Sequence, residues 1–423
     1  ADLDSQGFVI HPGDDEISFV GPTVFGTRNG VYDFLERYAD IRWLMPGPEG
    51  EDVPPKTELL VYKEDVVEEP AFTHRVISAA LDADKWWKQN KIQLGASRPI
   101  RFQENLYTLF PPEKYAQTRP DFYPNGIPPA PGENHTWQPC FTAEGSVEAA
   151  VEGLLAYFAA NPGATSYSLG INDTTNFCEA NPNHPHYPGK VNSVGLVDMS
   201  DIYYAWVNEV VERVLEVYPD KWFGVLAYLN VMDPPSFPLH PRVVPFITKE
   251  RLTWIDDEVK ADGHQQMEAW KEKANLIGWY DYMYGTLYVI PRIFPHVMAE
   301  NMRYAAENQV YGHYIEMYHN VGDGPKAWIA AKLMWDPYQD VDALLQEWYE
   351  RAVGKEAAED LAALFALWEE FWTVRIQESP WFQGGKTRTY LPFSEQTYLH
   401  LVTEEDIAES MRLARSVVSK AGP

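Results

Sequence analysis

Between residues 71 and 316 the chain alternates short β-rich runs with amphipathic helical stretches, and no other feature constrains its fold as much. The β-rich runs fall at 72–78, 91–96, 136–141, 166–171, 222–228, 243–248, 276–282 and 310–316. Helical periodicity fills 147–160, 199–218, 262–274 and 294–308 between several of them. Eight strands with interleaved helices over roughly 250 residues predict an α/β fold, a (β/α)8 barrel of TIM type.

The barrel would occupy residues 68–325, with a smaller unit on each side. Residues 1–67 read as a small α/β domain. Strand-like runs at 7–10 and 16–20 precede a helical stretch at 29–38, with Val31, Phe34, Leu35 and Tyr38 at helical spacing, and a further strand at 41–44. A Gly/Pro/acidic loop follows at 47–56. Residues 326–423 read as a C-terminal helical region with helices at 326–333, 340–351 and 357–378. A loop at 381–392, rich in Gly, Thr and aromatics, then leads to a last helix from Thr403.

In a barrel of this kind the side chains at the C-terminal strand ends face the active site. Those ends carry Arg75, then Trp137 and Gln138, then the pair Asn172-Asp173, then Tyr228 and Asn230. The seventh run ends in Trp279, Tyr280, Asp281 and Tyr282, and the eighth in Tyr314 and Glu316, with Tyr318, His319 and Asn320 beyond. A purely structural core would put Val, Ile and Leu at many of these places. Asn-Asp after a strand is also ordinary turn chemistry, so its weight comes from the polar and aromatic residues that recur on the other strands.

Such a set suits glycoside hydrolysis, which needs a proton donor and a nucleophile or base, unless a substrate 2-acetamido group attacks instead. In the assisted form, acting on β-linked N-acetylhexosamine, Asp173 is the acid, Asn172 orients the acetamide, and Tyr282 or Asp281 bonds it. In the unassisted form, acting on a neutral or uronic sugar, Asp173 and Glu316 are acid and nucleophile, a retaining pair about 5–5.5 Å apart. The expected catalytic residues are therefore Asp173, Asn172 and Glu316. The expected substrate-binding residues are Arg75, Trp137, Gln138, Tyr228, Trp279, Asp281 and Tyr282. A third reading is a carbohydrate-binding protein without turnover.

Charge narrows the partners. With 62 acidic against 34 basic residues the formal net charge is −28, which disfavours nucleic acid and anionic membranes. Fifteen Trp and 25 Tyr offer rings for the apolar faces of sugars, so the expected partner is an oligosaccharide. No apolar run reaches the roughly 18 residues that membrane insertion requires. Cys178, His184 and His186 match no common zinc spacing, and no phosphate loop or nucleophile elbow is present. Neither a cofactor nor a metal is expected. Cys140 and Cys178 allow one bridge, which spacing alone does not establish. Asn134-His-Thr and Asn172-Asp-Thr match the glycosylation sequon. No signal peptide is visible. The abrupt start at Ala1-Asp2-Leu3 is what a trimmed product would show, with secretion or a periplasmic location expected in that case and the cytoplasm otherwise.

Several blocks resemble known families. GTRNGVYDFLERYADIRWLMPG (26–47) looks like the small domain preceding the barrel in family 20 β-hexosaminidases and in α-glucuronidases. PAFTHR (70–75), TRPDFYP (118–124), QPC (138–140), LGINDTTNFCE (169–179), YGHYIEMYHN (311–320) and AAKLMWDP (330–337) resemble domain-of-unknown-function family 4838, part of which is classed as glycoside hydrolase family 163, endo-β-N-acetylglucosaminidases. The resemblance implies a retaining (β/α)8 hydrolase assisted by a substrate acetamide. It puts Asn172-Asp173 in the place of an adjacent Asp-Glu pair, Arg75 at a sugar-binding position, Tyr282 near the acetamide and Glu316 near a hydroxyl. Asn-Asp carries one carboxylate where Asp-Glu carries two, so Glu179 and Glu316 stand as further candidates for the acid.

Overall fold

The computed structural model describes residues 3–78, 83–94, 98–130, 132–318 and 320–421. At the N-terminus, β1 (Phe8–Pro12) pairs antiparallel with β2 (Ile17–Val20) and β5 (Val66–Glu68), while β3 (Arg42–Trp43) pairs with β4 (Glu51–Asp52). Helix α1 (Val24–Arg37) starts at Thr23, whose hydroxyl accepts from the amides of Phe25 and Gly26 and so meets two donors that the first turn leaves orphaned. The small unit does not close its core alone. Phe8 and Ile10 pack with Trp335, which lies beyond the barrel in sequence, and the Phe8 and Trp335 rings stack at 5.8 Å.

The main sheet contains β6 (His74–Ile77), β7 (Ser166–Ser168), β8 (Trp222–Ala227), β9 (Val243–Thr248), β10 (Ile277–Tyr282) and β11 (Val310–Glu316), all parallel. Their order is β6-β11-β10-β9-β8-β7, so the first strand bonds to the last and the sheet curls. Runs such as WFGVLA and VVPFIT are buried along almost their whole length, as expected of parallel strands covered on both faces.

The expected eight-stranded barrel is corrected here: six of the eight runs form strands among the described residues. Residues 91–94 are irregular, since Lys91 has φ 60° where α2 (Asp84–Gln89) ends, and the rest of that run lies largely outside the described residues. Residues 136–141 contain Pro139, which has no N–H for a ladder, and they form no strand. The gap between β6 and β7 is filled by loop backbone. Gln93 N donates to Arg75 O at 2.9 Å, and Glu104 makes a parallel bridge to Gly170.

The helices on the outside are the short α3 (Pro112–Tyr115), α4 (Ser146–Ala160), α5 (Ser200–Leu215), α6 (Asp257–Lys271) and α7 (Pro295–Glu307). The C-terminal region adds α8 (Lys326–Trp335), α9 (Val341–Val353), α10 (Lys355–Thr373), α11 (Pro380–Gly385) and α12 (Glu404–Lys420). Thr403 and Asp406 form a capping box at the start of α12.

Alternation along the strands places even-numbered residues inside the curl and odd-numbered ones outside. Inside, the Phe102 and Phe246 rings stack at 3.7 Å, with His74 5.1 Å from Phe246 and Tyr314 5.5 Å from Phe102. Glycines make room for this layer. A Cβ on Gly224 would lie 2.3 Å from Arg101 O, and one on Gly312 would lie 2.2 Å from His74 O.

Candidate active site

The inward, even-numbered series rises from the aromatic layer to the C-terminal ends of the strands. There it becomes Tyr228, Tyr280, Tyr282, Tyr314 and Glu316, joined by Asp173 from the loop after β7. Tyr228 donates its phenolic hydrogen to Asp173 Oδ1 at 3.1 Å. Tyr280 donates to Glu316 Oε2 at 2.7 Å, Tyr318 donates to Oε1 at 2.8 Å, and Tyr284 is a third phenol bonded to the same carboxylate. Burial, followed by the neighbouring acids and phenols, raises the phenol pKa of Tyr228, Tyr280 and Tyr314, and brings that of Tyr318 to about 12. These tyrosines therefore remain protonated donors at neutral pH.

A third carboxyl was not singled out in the sequence. Glu104 follows Phe102 on the irregular segment beside β7, where its bridge to Gly170 brings it next to the Asp173 loop and its carboxyl feels the charges of Asp173 and Glu316. Burial first, and then the charges of Asp173 and Glu316, push the Glu104 carboxyl above its usual range, with its own backbone bond and His135 pulling the other way. Desolvation and like charges both disfavour the ionised form. Tyr390, from the C-terminal region, also reaches this cluster. Its phenol is hydrogen-bonded to Tyr228, and its ring lies 4.8 Å from Tyr282.

Of the residues named from sequence, Asp173, Glu316, Tyr228 and Tyr282 come together at the mouth. Three others stand directly behind it. The Asn172 side chain is fully buried: its Oδ1 accepts from Tyr107 N at 3.1 Å and its Nδ2 donates to Trp137 O at 2.8 Å. Both ends of the amide are committed to main chain, which corrects the expectation that it polarises a substrate. Gln138 is equally buried. Its Nε2 donates to Asn172 O at 2.6 Å while its Oε1 accepts from Asn172 N at 3.0 Å. Trp137 is buried too, with its indole N–H on Glu133 O at 2.7 Å. Together these residues pin the 136–141 loop against the Asp173 loop. The disulfide Cys140–Cys178, with Cα atoms 5.3 Å apart, links the same two loops.

Three residues face the opposite way, because one step along a strand reverses the side-chain direction. Arg75 is buried against the N-terminal unit, donating to Phe72 O at 2.8 Å and Lys91 O at 2.9 Å, with its guanidinium 4.9 Å above the Trp335 ring. Trp279 lies outside the curl, where its ring carries the Arg251 guanidinium at 3.7 Å. Asp281 accepts from Arg251 N at 3.0 Å and from Tyr282 N at 2.8 Å. None of the three reaches the mouth. Glu179, the reserve acid, is sealed inside, with Oε1 accepting from the Thr142 amide at 2.8 Å and hydroxyl at 2.9 Å.

Among the described residues, no group of three or more His, Cys, Asp or Glu side chains is placed to hold a metal ion, and no helix is long and apolar enough to cross a membrane. The curled parallel sheet is a fold shared with a glycoside hydrolase of known structure. The family 89 glycoside hydrolase from Clostridium perfringens, in complex with 2-acetamido-1,2-dideoxynojirmycin, superposes with a TM-score of 0.52 at 11% identity, covering 84% of this chain and 48% of that one. The same hydrolase in complex with PUGNAc gives the same values. This chain thus spans about half the length of the structures it matches. No curated protein matches its sequence. The chain belongs to the family described as Domain of unknown function (DUF4838), whose model matches residues 45–365.

Proposed function

We propose that this protein is a glycoside hydrolase that cleaves N-acetylhexosamine linkages in glycans, the β-linked ones by expectation, with Glu104 as proton donor and Glu316 as nucleophile. The observation that carries the reading is the inward-facing trio Glu104, Asp173 and Glu316, ringed by protonated tyrosines at the C-terminal end of the sheet. A general acid is served by a raised pKa, and burial beside two other carboxylates moves the Glu104 carboxyl in that direction. A nucleophile must be held in one orientation, and the phenols bonded to Glu316 do this. Asp173, anchored by Tyr228, completes the charge that an oxocarbenium-like transition state requires. The fold shared with a hydrolase seen bound to 2-acetamido sugar analogues supports the substrate class.

A second reading keeps Asp173 as the acid and lets the substrate acetamide attack. The place of Tyr282 beside the cluster favours it, whereas the fully committed Asn172 amide does not. A panel of p-nitrophenyl glycosides tests the activity: turnover by the wild type that is abolished in Glu316→Gln supports the proposal, and no turnover on any member refutes it. Inhibition by a thiazoline analogue of the acetamide intermediate would select the assisted reading.

A further inference from the structure

The C-terminal region does more than cover the sheet. Its loop at 387–391 is tied to the end of β9 at several points. Glu250 N donates to Thr389 O at 2.8 Å, Glu250 Oε2 accepts from Leu391 N at 2.7 Å, and Lys249 Nζ donates to Thr387 O at 3.1 Å. Glu250 is itself fully buried and paired through Oε1 with the equally buried Arg292. The two peptides flanking Tyr390 are therefore fixed by one residue, Glu250, whose backbone amide holds Thr389 O and whose carboxylate holds Leu391 N. Tyr390 in turn lies 4.8 Å from the Tyr282 ring, stacks with Phe393 at 5.6 Å, and hydrogen-bonds Tyr228, whose proton goes to Asp173.

We infer that Tyr390 is a substrate-contacting residue of this site, delivered by the C-terminal region, and that the buried Glu250–Arg292 pair is the positioning device that holds it there. The inference rests on the hydrolase reading above and extends it to a segment beyond residue 365, where the family match ends. Tyr390 stands against Tyr282 at the mouth and shares Phe393 with Tyr284, one of the tyrosines that bond Glu316. A sugar seated over Asp173 would meet the Tyr390 ring with an apolar face and its hydroxyl with a polar edge.

The test is a set of variants assayed on p-nitrophenyl glycosides: Tyr390→Phe, Tyr390→Ala, Glu250→Gln and the double variant Tyr390→Ala/Glu250→Gln. Loss of one hydrogen bond predicts a fall of roughly 3- to 10-fold in kcat/KM for Tyr390→Phe. Loss of the ring as well predicts about 10²-fold for Tyr390→Ala, with KM raised. Glu250→Gln, which weakens the bonds to Leu391 N and Arg292 but keeps the amide on Thr389 O, should lower kcat/KM in the same direction as Tyr390→Ala by a smaller factor, and the double variant should lose no more than Tyr390→Ala alone, because both changes act through the same wall. Circular dichroism confirms that each variant folds. If Tyr390→Ala stays within about twofold of wild type, or the double variant shows additive losses, the inference is wrong. If wild type turns over no glycoside, the hydrolase reading falls, and calorimetric binding of the same glycosides decides this inference instead. Weaker binding by Tyr390→Ala sustains it, and equal binding, or none by wild type, overturns it.

Discussion

The phenolic oxygen of Tyr280 lies 2.7 Å from Glu316 Oε2, and the two residues sit on adjacent strands, β10 and β11, each at an inward position. The register pairs Tyr280 with Tyr314 and Tyr282 with Glu316, so the bond runs diagonally across the ladder. It is held by two parallel strands rather than by a loop. Replacing Tyr280 with Phe keeps the packing against Phe102 and removes one donor to the carboxylate. A charge-assisted hydrogen bond of this kind contributes about 1.5–3 kcal/mol, so kcat should fall by roughly 10- to 100-fold with little change in thermal stability. Steady-state kinetics and a thermal melt of Tyr280→Phe measure the two effects separately.

Glu104 has a second signature besides activity. Its carboxyl is raised above the usual range by burial and by Asp173 and Glu316, so the folded state holds the proton more tightly than the unfolded chain does. The sign of the linkage follows. The favourable contribution is complete below the ordinary carboxylate pKa and is lost as pH rises through the raised value. Glu104→Gln, which cannot ionise, should therefore gain stability relative to wild type as pH climbs from about 4 to 8. Melting curves across that range check it, and a constant difference would count against the shift.

His296 offers the same kind of test far from the site. Its ring bridges Glu369 at 2.9 Å and Asp342 at 3.0 Å, tying α7 to α10 and α9, and the Glu369 bond raises its pKa to about 9. A base with a raised folded pKa stabilises fully below its unfolded value near 6.5 and loses that contribution as pH rises toward 9. His296→Ala should therefore destabilise the protein more at pH 6 than at pH 10, as denaturant titrations at the two pH values would show.

The bridge between Cys140 and Cys178 closes a loop of 38 residues, and such a crosslink typically stabilises by about 2–4 kcal/mol. Because it joins the two loops that carry Gln138 and Asn172, the double variant Cys140→Ser/Cys178→Ser should lower both the melting temperature and kcat/KM. Differential scanning calorimetry alongside the glycoside assay measures both.

Much of the parallel sheet could be read from the sequence, because buried parallel strands are apolar runs flanked by amphipathic helices. Two predicted strands failed where loop chemistry decided: Lys91 takes a positive φ, and Pro139 has no amide hydrogen. Within the site, the ends of β8, β10 and β11 fall within one residue of the expected runs, but which alternate residues face inward was not fixed at Trp279-Tyr280-Asp281-Tyr282. A signal was available. Gly278 and Gly312 are inward-facing glycines that admit the central aromatic layer, and counting by twos from them reaches Tyr280, Tyr282, Tyr314 and Glu316. Counting the same way rejects Trp279 and Asp281, and Arg75 fails likewise because it neighbours the inward His74. Glu104 lies on an irregular segment without strand periodicity, and Tyr390 arrives from a loop far along the chain. Neither gives a local pattern that could be recognised.

The central claim is that Glu104 donates the proton and Glu316 attacks. Its most direct measurement is the leaving-group dependence of kcat/KM in Glu104→Gln, Asp173→Asn and Glu316→Gln, with aryl glycosides spanning good to poor leaving groups. Loss of a positioned acid costs about 10²–10⁴-fold where the leaving group needs protonation, so Glu104→Gln should be crippled on poor leaving groups and close to wild type on dinitrophenolate. Glu316→Gln should be inactive on all of them. The opposite pattern, with Glu104→Gln showing no leaving-group dependence and Asp173→Asn showing it, would contradict the account.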